Sequence, residues 1–209
     1  MKNGLKLILT ATALFCTFAP SYAQRFRTIG VQDGLSDGFV RGIECDSEGY
    51  MWFATLDGLN RYDGYNFKKY TLSELGHNSD VFDSVLEDAA GHLWVKSPND
   101  AFLYDRLTDR LTDDLSPALD DAGIEERSVR NVLVDEEKNL WVQAEDKVYI
   151  YYPSREALVT VQLPSDITSS STTGGVSFAL LDNGELWTVY PECRRLRIPS
   201  GITPGSISG

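Results

Sequence analysis

Four tryptophans constrain this chain more than any other feature. Trp52, Trp94, Trp141 and Trp187 stand 42, 47 and 46 residues apart, and there are no others. That interval is the length of one four-stranded blade of a β-propeller. Each is preceded by an apolar run and a polar turn: VRGIECDSEGYMW, VFDSVLEDAAGHLW, VRNVLVDEEKNLW and VSFALLDNGELW. Scattered core tryptophans would need this coincidence four times. Residues 40–70 show the unit in full, with short strand-like runs at 40–45, 50–55, 59–62 and 65–70. Asp-Ser-Glu-Gly and two Asp-Gly pairs separate them, the punctuation of an antiparallel meander. The expected class is all-β, a propeller with about four four-stranded blades and an incomplete ring.

The turn before each tryptophan has its own logic. Asp46 and Gly49 precede Trp52 by six and three residues, and Asp88 and Gly91 precede Trp94 identically. A glycine supplies the positive φ of a short hairpin. In the third unit Lys138 replaces it, and the neighbouring Asn139 is expected to take the left-handed conformation before Trp141. In the fourth, Gly184 keeps its place before Trp187, but Asp182 is one residue closer. That turn is expected to be one residue tighter.

These residues carry a resemblance. Asp33-Gly34-Leu35-Ser36, then Val40, Ile43, Asp46, Gly49 and Trp52, then Gly58-Leu59-Asn60-Arg61-Tyr62-Asp63-Gly64, are similar to the two-component regulator propeller repeat. The match is dense over residues 26–70 and thins afterwards. The second unit keeps Gly91, Trp94 and Leu103-Tyr104-Asp105, the third Asn139-Leu140-Trp141, the fourth Gly184-Glu185-Leu186-Trp187. The resemblance implies the periplasmic sensor region of a hybrid two-component histidine kinase, with propellers of about seven blades. It also implies an oligosaccharide ligand, and further blades and a kinase as partners in a longer protein. Nothing here resembles the phosphotransfer or DNA-binding parts.

The organisation expected along the chain is as follows. Residues 1–23 read as a secretory signal: Lys2 and Lys6, an apolar stretch, then small residues at Ser21 and Ala23, with cleavage before Gln24. The location implied is the periplasm. Residues 24–37 read as a strand that completes another blade. Residues 38–80 form blade one, 81–126 blade two with an acidic insertion, 127–175 blade three with a Ser/Thr loop at 164–175, and 176–209 a partial blade four and tail. In the insertion, Ser116 is expected to cap a helical turn with Pro117 at its first position. Four blades of about seven do not close, so the chain is expected to be a fragment or truncated frame that stacks neighbour on neighbour.

Without Lys2 and Lys6 there are 17 basic and 31 acidic residues, a net charge of −14. That disfavours nucleic acid and anionic membrane as partners. Cys45 and Cys193 lie in the first and fourth units, too far apart to bridge, and are expected to be free thiols packed in the core. No metal-ligand spacing and no cofactor motif are present, and no catalytic residue is assigned. The paired carboxylates, such as Asp113/Asp114, all fall in turns, whereas acid–base work needs one in an apolar pocket. Ligands of propellers meet the loops entering strand one and those joining strands two and three. The candidates there are Asp37, Asp57, Asn78, Asp80, Asn99 and Arg127, with aromatics to stack on sugar rings. The alternatives are a secreted binding or scaffold propeller and a glycan-active enzyme.

Overall fold

The computed structural model describes residues 27–173 and 176–196. The expected signal sequence and the tail from Pro199 lie outside the described residues. Among these residues sixteen strands form four antiparallel sheets of four. Sheet one holds β1 (Val40–Cys45), β2 (Met51–Thr55), β3 (Gly58–Tyr62) and β4 (Phe67–Tyr70). Sheet two holds β5 (Ser84–Glu87), β6 (Leu93–Lys96), β7 (Ala101–Asp105) and β8 (Arg110–Thr112). A six-residue helix, α1 (Ser116–Asp121), follows. Sheet three holds β9 (Asn131–Val134), β10 (Leu140–Gln143), β11 (Lys147–Tyr152) and β12 (Ala157–Gln162). Sheet four holds β13 (Ile167–Thr173), β14 (Val176–Leu181), β15 (Leu186–Tyr190) and β16 (Arg194–Arg195).

The turn before each tryptophan repeats bond for bond. In sheet one the Asp46 amide donates to the Tyr50 carbonyl and the Gly49 amide to the Asp46 carbonyl. Asp88, Asp135 and Leu181 make the same pair of bonds with the residues four and three positions on. Gly49, Gly91 and Gly184 take φ of 89°, 88° and 81° there. The third unit corrects an expectation: Lys138, at φ 62°, takes the left-handed conformation, and Asn139 does not. Hairpin geometry puts positive φ three residues before the tryptophan whatever residue stands there. Asn139 instead spends its amide groups on the Asp135 carboxylate. The fourth turn is not tighter either. Leu181 occupies the seat that Asp46 holds in the first, and Asp182 lies one place beyond it.

Each sheet buries one face on the next. Trp52, Ala54 and Leu59 meet Val85, Leu93, Val95 and Phe102. Trp94 and Leu103 meet Val132, Leu140 and Val142, with Leu119 and Ile124 from the α1 segment filling the gap. The period-two alternation of the strands sets this: the tryptophan points one way and its two neighbours the other. Burying a large side chain is worth about 1.5–3 kcal/mol, so these interfaces supply the core that no single sheet has. At the third interface the pattern changes. Trp141 meets Ala179, Leu181 and Val189, residues on the same face of sheet four as Trp187, since Ala179 pairs directly with Trp187. Sheet four therefore presents its tryptophan face backward. No core cluster joins sheet four to sheet one, and among the described residues the ring is open.

Four further expectations are corrected. The Ser/Thr segment is not a loop: β13 pairs with β14 over Ile167–Thr173, as suits a run rich in β-branched residues. Trp187 consequently sits on the third strand of its sheet, whereas Trp52, Trp94 and Trp141 sit on the second. No strand precedes Val40 among the described residues. Val31–Asp33 is a single 3-10 turn, because Gly34 at φ 109° and the Asp33 carboxylate on the Gly30 amide close the chain locally. Helix α1 forms as expected, but Asp114 accepts from both the amide and the hydroxyl of Ser116, so Ser116 is not the cap. Both cysteines are free, yet Cys45 is exposed; its neighbour Asp46 takes the buried seat. Cys193 packs beside the third core, where burial pushes its thiol up to about 11.

Candidate functional site

The first strands of the first three sheets run side by side, β1 against β5 and β5 against β9. Gly42 permits this closeness. A Cβ there would lie 2.9 Å from the Asp83 carbonyl and 3.0 Å from the Ser84 Cα. Where these strands begin, a cleft of about 540 Å³ opens. Its charged groups are Arg41, Asp83, Lys96, Asp100 and Arg130, and its neutral polar groups include Asn99 and Asn131. Among the described residues no aromatic side chain lines it.

Arg41, Asp83 and Arg130 occupy one repeat position, eleven residues before Trp52, Trp94 and Trp141. Sheet stacking thus sets Arg, Asp and Arg in a row. An Arg41 nitrogen lies 2.9 Å from Asp83 Oδ1 as an ion pair. The approach is too oblique for a hydrogen bond, and Asp83 Oδ1 is a buried acceptor without a donor. Arg130 faces Glu145 at 3.6 Å. Burial pulls the Lys96 ammonium below the usual lysine range, and the Asp83 charge pulls it partly back. Among the described residues neither a hydrogen bond nor an ion pair reaches the Lys96 ammonium.

Of the candidate ligand residues, only Asn99 lines this cleft. Asp37 accepts from the Phe39 amide at 2.6 Å, a local turn. Asp57 is paired with Lys69 at 3.0 Å. Asp80 accepts from the Leu72 amide at 2.6 Å, while its carbonyl takes the Gly58 amide. Arg127 is ion-paired with Asp120 of α1 and donates to the Ile124 carbonyl at 2.6 Å. Asn78 is exposed, away from the cleft. Arg41, Lys96 and Arg130 were not among the candidates. The signal for the two arginines was the shared position relative to the tryptophans. Lys96 ends a strand, and nothing in its neighbours marks it.

Two polar clusters hold the first two sheets together and take no part in the cleft. Asp109 accepts from the hydroxyls of Tyr70 and Tyr104, each at 2.6 Å, and is ion-paired with Lys68 and with Arg61. Burial would raise its carboxyl, but the bonds from Lys68 and the two tyrosines and the Arg61 charge hold it well below the usual carboxylate range. Arg106 reaches Glu48 at 2.9 Å and Glu87 at 2.8 Å, and Glu87 accepts from the Ser47 amide and hydroxyl. The Gly58-Leu59-Asn60 motif is also structural: Asn60 Oδ1 takes the Ser36 amide at 3.0 Å and Asn60 Nδ2 donates to Ser36 Oγ at 2.7 Å. Among the described residues no group of three His, Cys, Asp or Glu side chains is placed to hold a metal. No described helix is long and apolar enough to cross a membrane.

Stacked four-stranded sheets that converge on their first strands define an incomplete β-propeller. Residues 34–57 match the family model described as "Two component regulator propeller". That repeat is the part of the chain similar to the family. Over 45 residues it is 47% identical to a protein named histidine kinase P4 from Formosa agariphila, a stretch that is 22% of this chain and 3% of that one. Among solved structures it resembles the extracellular domain of what is described as a hybrid two component system from B. thetaiotaomicron. There the identity is 18% and the TM-score 0.48, covering 83% of this chain and 26% of that one. It also resembles an inactive virginiamycin B lyase from Staphylococcus aureus, at 12% identity and TM-score 0.44, over 86% of this chain and 62% of that one. The chain thus spans less than two thirds of each of these relatives.

Proposed function

We propose that this chain belongs to the exported, ligand-sensing propeller of a two-component phosphorelay sensor. It binds an oligosaccharide in the periplasm, and a histidine kinase elsewhere in the same protein carries the signal. The observation that carries this reading is the repeat at residues 34–57, together with the likeness of that region to a histidine kinase. The chain itself performs no catalytic step in this reading. The cleft supports sugar binding, because Ser84 and Asn131 at the starts of β5 and β9, Ser170 within β13 and Asn99 in the β6–β7 turn offer hydrogen bonds to hydroxyls.

The test is a glycan array probed with the purified, labelled protein, followed by calorimetry on the hits. The expected result is saturable binding of one oligosaccharide class, lost on Asn99→Ala and Asn131→Ala. A protein that stays folded and binds no glycan overturns the sugar reading. A reading frame whose product joins these blades to no kinase overturns the signalling one.

A further inference from the structure

We propose that the cleft at the converging first strands selects an oligosaccharide bearing an anionic group, carboxylate or sulfate, anchored by Lys96 with Arg130 beside it. The inference rests on the oligosaccharide reading above and adds the charge of the ligand.

Three observations lead there. The first is sign. The chain as a whole carries a net charge of −12, yet the cleft lining gathers Arg41, Lys96 and Arg130 against Asp83 and Asp100, with Glu145 outside the lining beside Arg130. Low-dielectric walls focus such a field, so an anion is drawn to this spot on an otherwise repelling surface.

The second is pairing. Arg41 is answered by Asp83 at 2.9 Å and Arg130, more loosely, by Glu145 at 3.6 Å. Lys96 has neither an ion pair nor a hydrogen bond among the described residues. It shares only the Asp83 charge, which Arg41 already engages. A half-buried ammonium left without a donor's partner is stabilised by any ligand that brings a carboxylate or sulfate oxygen to it.

The third is the missing ring. Propeller and lectin sites for neutral sugars gain affinity by stacking a ring face on an aromatic side chain. None lines this cleft among the described residues, so charge and hydrogen bonds supply the binding energy there. The cleft volume of about 540 Å³ falls within the range of small-ligand sites.

Calorimetry with three probes tests this: oligogalacturonate for carboxylate, a sulfated heparin-derived oligosaccharide for sulfate, and a neutral galacto-oligosaccharide. One acidic probe is expected to bind at least about 10-fold more tightly than the neutral one, which names the anionic group. Its affinity is expected to fall with added salt. Lys96→Gln should weaken it about 10-fold and leave the neutral sugar unchanged, Lys96→Arg should retain most of it, and Lys69→Gln, outside the cleft, should have no effect. Salt dependence in the unmodified protein keeps the test valid if Lys96→Gln fails to fold. Equal binding of acidic and neutral probes, or salt-independent binding, overturns the charge selection and leaves the sugar reading standing. Binding of none of them, with none on the glycan array, overturns both.

Discussion

The indole nitrogen of Trp52 donates to Asp46 Oδ2 at 2.7 Å, at the floor of the first sheet's turn. The other oxygen of that carboxylate takes the amides of Glu48 and Tyr50, at 3.1 and 2.8 Å. One side chain therefore fixes the turn, the strand that follows and the ring that the next sheet packs on. Asp88 repeats the arrangement with Trp94 at 2.8 Å and Asp135 with Trp141 at 3.1 Å. In sheet four Leu181 holds the seat, and the Trp187 nitrogen turns to Glu185 at 3.0 Å.

Asp46→Ala should destabilise the protein by about 2–4 kcal/mol, because it strands a buried indole N–H and two turn amides at once. Asp135→Ala should cost less, about 1–2 kcal/mol, since Asp135 is only half-buried. Urea unfolding followed by tryptophan fluorescence reads both. Equal, negligible losses would mean that the carboxylate is incidental to the turn.

Gly42→Ala should open the junction of β1 and β5. The new methyl meets backbone atoms at 2.9 and 3.0 Å, which cannot rotate away. A loss of about 1–3 kcal/mol is expected, as for overpacking generally. Binding in the neighbouring cleft should weaken in parallel. Gly49→Ala is strained for a different reason, its φ of 89°, and should leave the cleft alone.

His92 lies between two carboxylates, 3.1 Å from Asp88 and 3.4 Å from Asp121 of α1. The hydrogen bond to Asp88 raises its pKa, and burial only partly opposes this. For Asp88 burial acts upward, but the bonds from His92 and Trp94 prevail and lower it. The stability from His92 is therefore fully present below about pH 6.5, the unfolded value, and is lost as pH rises through the higher folded value. The stability from Asp88 is present above about pH 4 and is lost as pH falls through its lower folded value. Thermal midpoints from pH 4 to 9 should decline above about pH 6.5, and His92→Gln should flatten that decline. A decline unchanged in the variant would assign it to another group.

Tyr70 should resist ionisation. Burial, then the bonds to Asp109 and Tyr104, push its hydroxyl far above the ordinary tyrosine value. As an acid with a raised folded pKa, it favours the folded state up to about pH 10 and withdraws that support as unfolded tyrosines ionise above it. Alkaline unfolding should begin near that pH, and Tyr70→Phe should shift its onset. Ultraviolet titration that shows every tyrosine ionising before unfolding would contradict the buried network.

The repeat was legible because its cause is local. A turn, a strand and a tryptophan recur at fixed spacing, and three of the four rings occupy equivalent seats in successive sheets. What escaped was set by neighbours. Lys138 takes the left-handed conformation because the hairpin demands it at that place, against the preference of Asn139 beside it. The hydroxyl-rich run at 167–173 reads as a loop until β14 offers it an edge. The cleft was hidden for a similar reason. Most loop candidates satisfy their own turns, as Asp37 and Asp80 do, whereas Arg41 and Arg130 come together only when β1, β5 and β9 stack.

The backward face of sheet four changes the symmetry of the pile. Sheets one to three join head to tail, a polarity that each new member hands on unchanged. The last junction brings Trp141 and Trp187 into one seam from its two sides, like meeting like, in the manner of a two-fold contact. A head-to-head joint passes on no direction, so the polarity set by the first two junctions is not carried through the third.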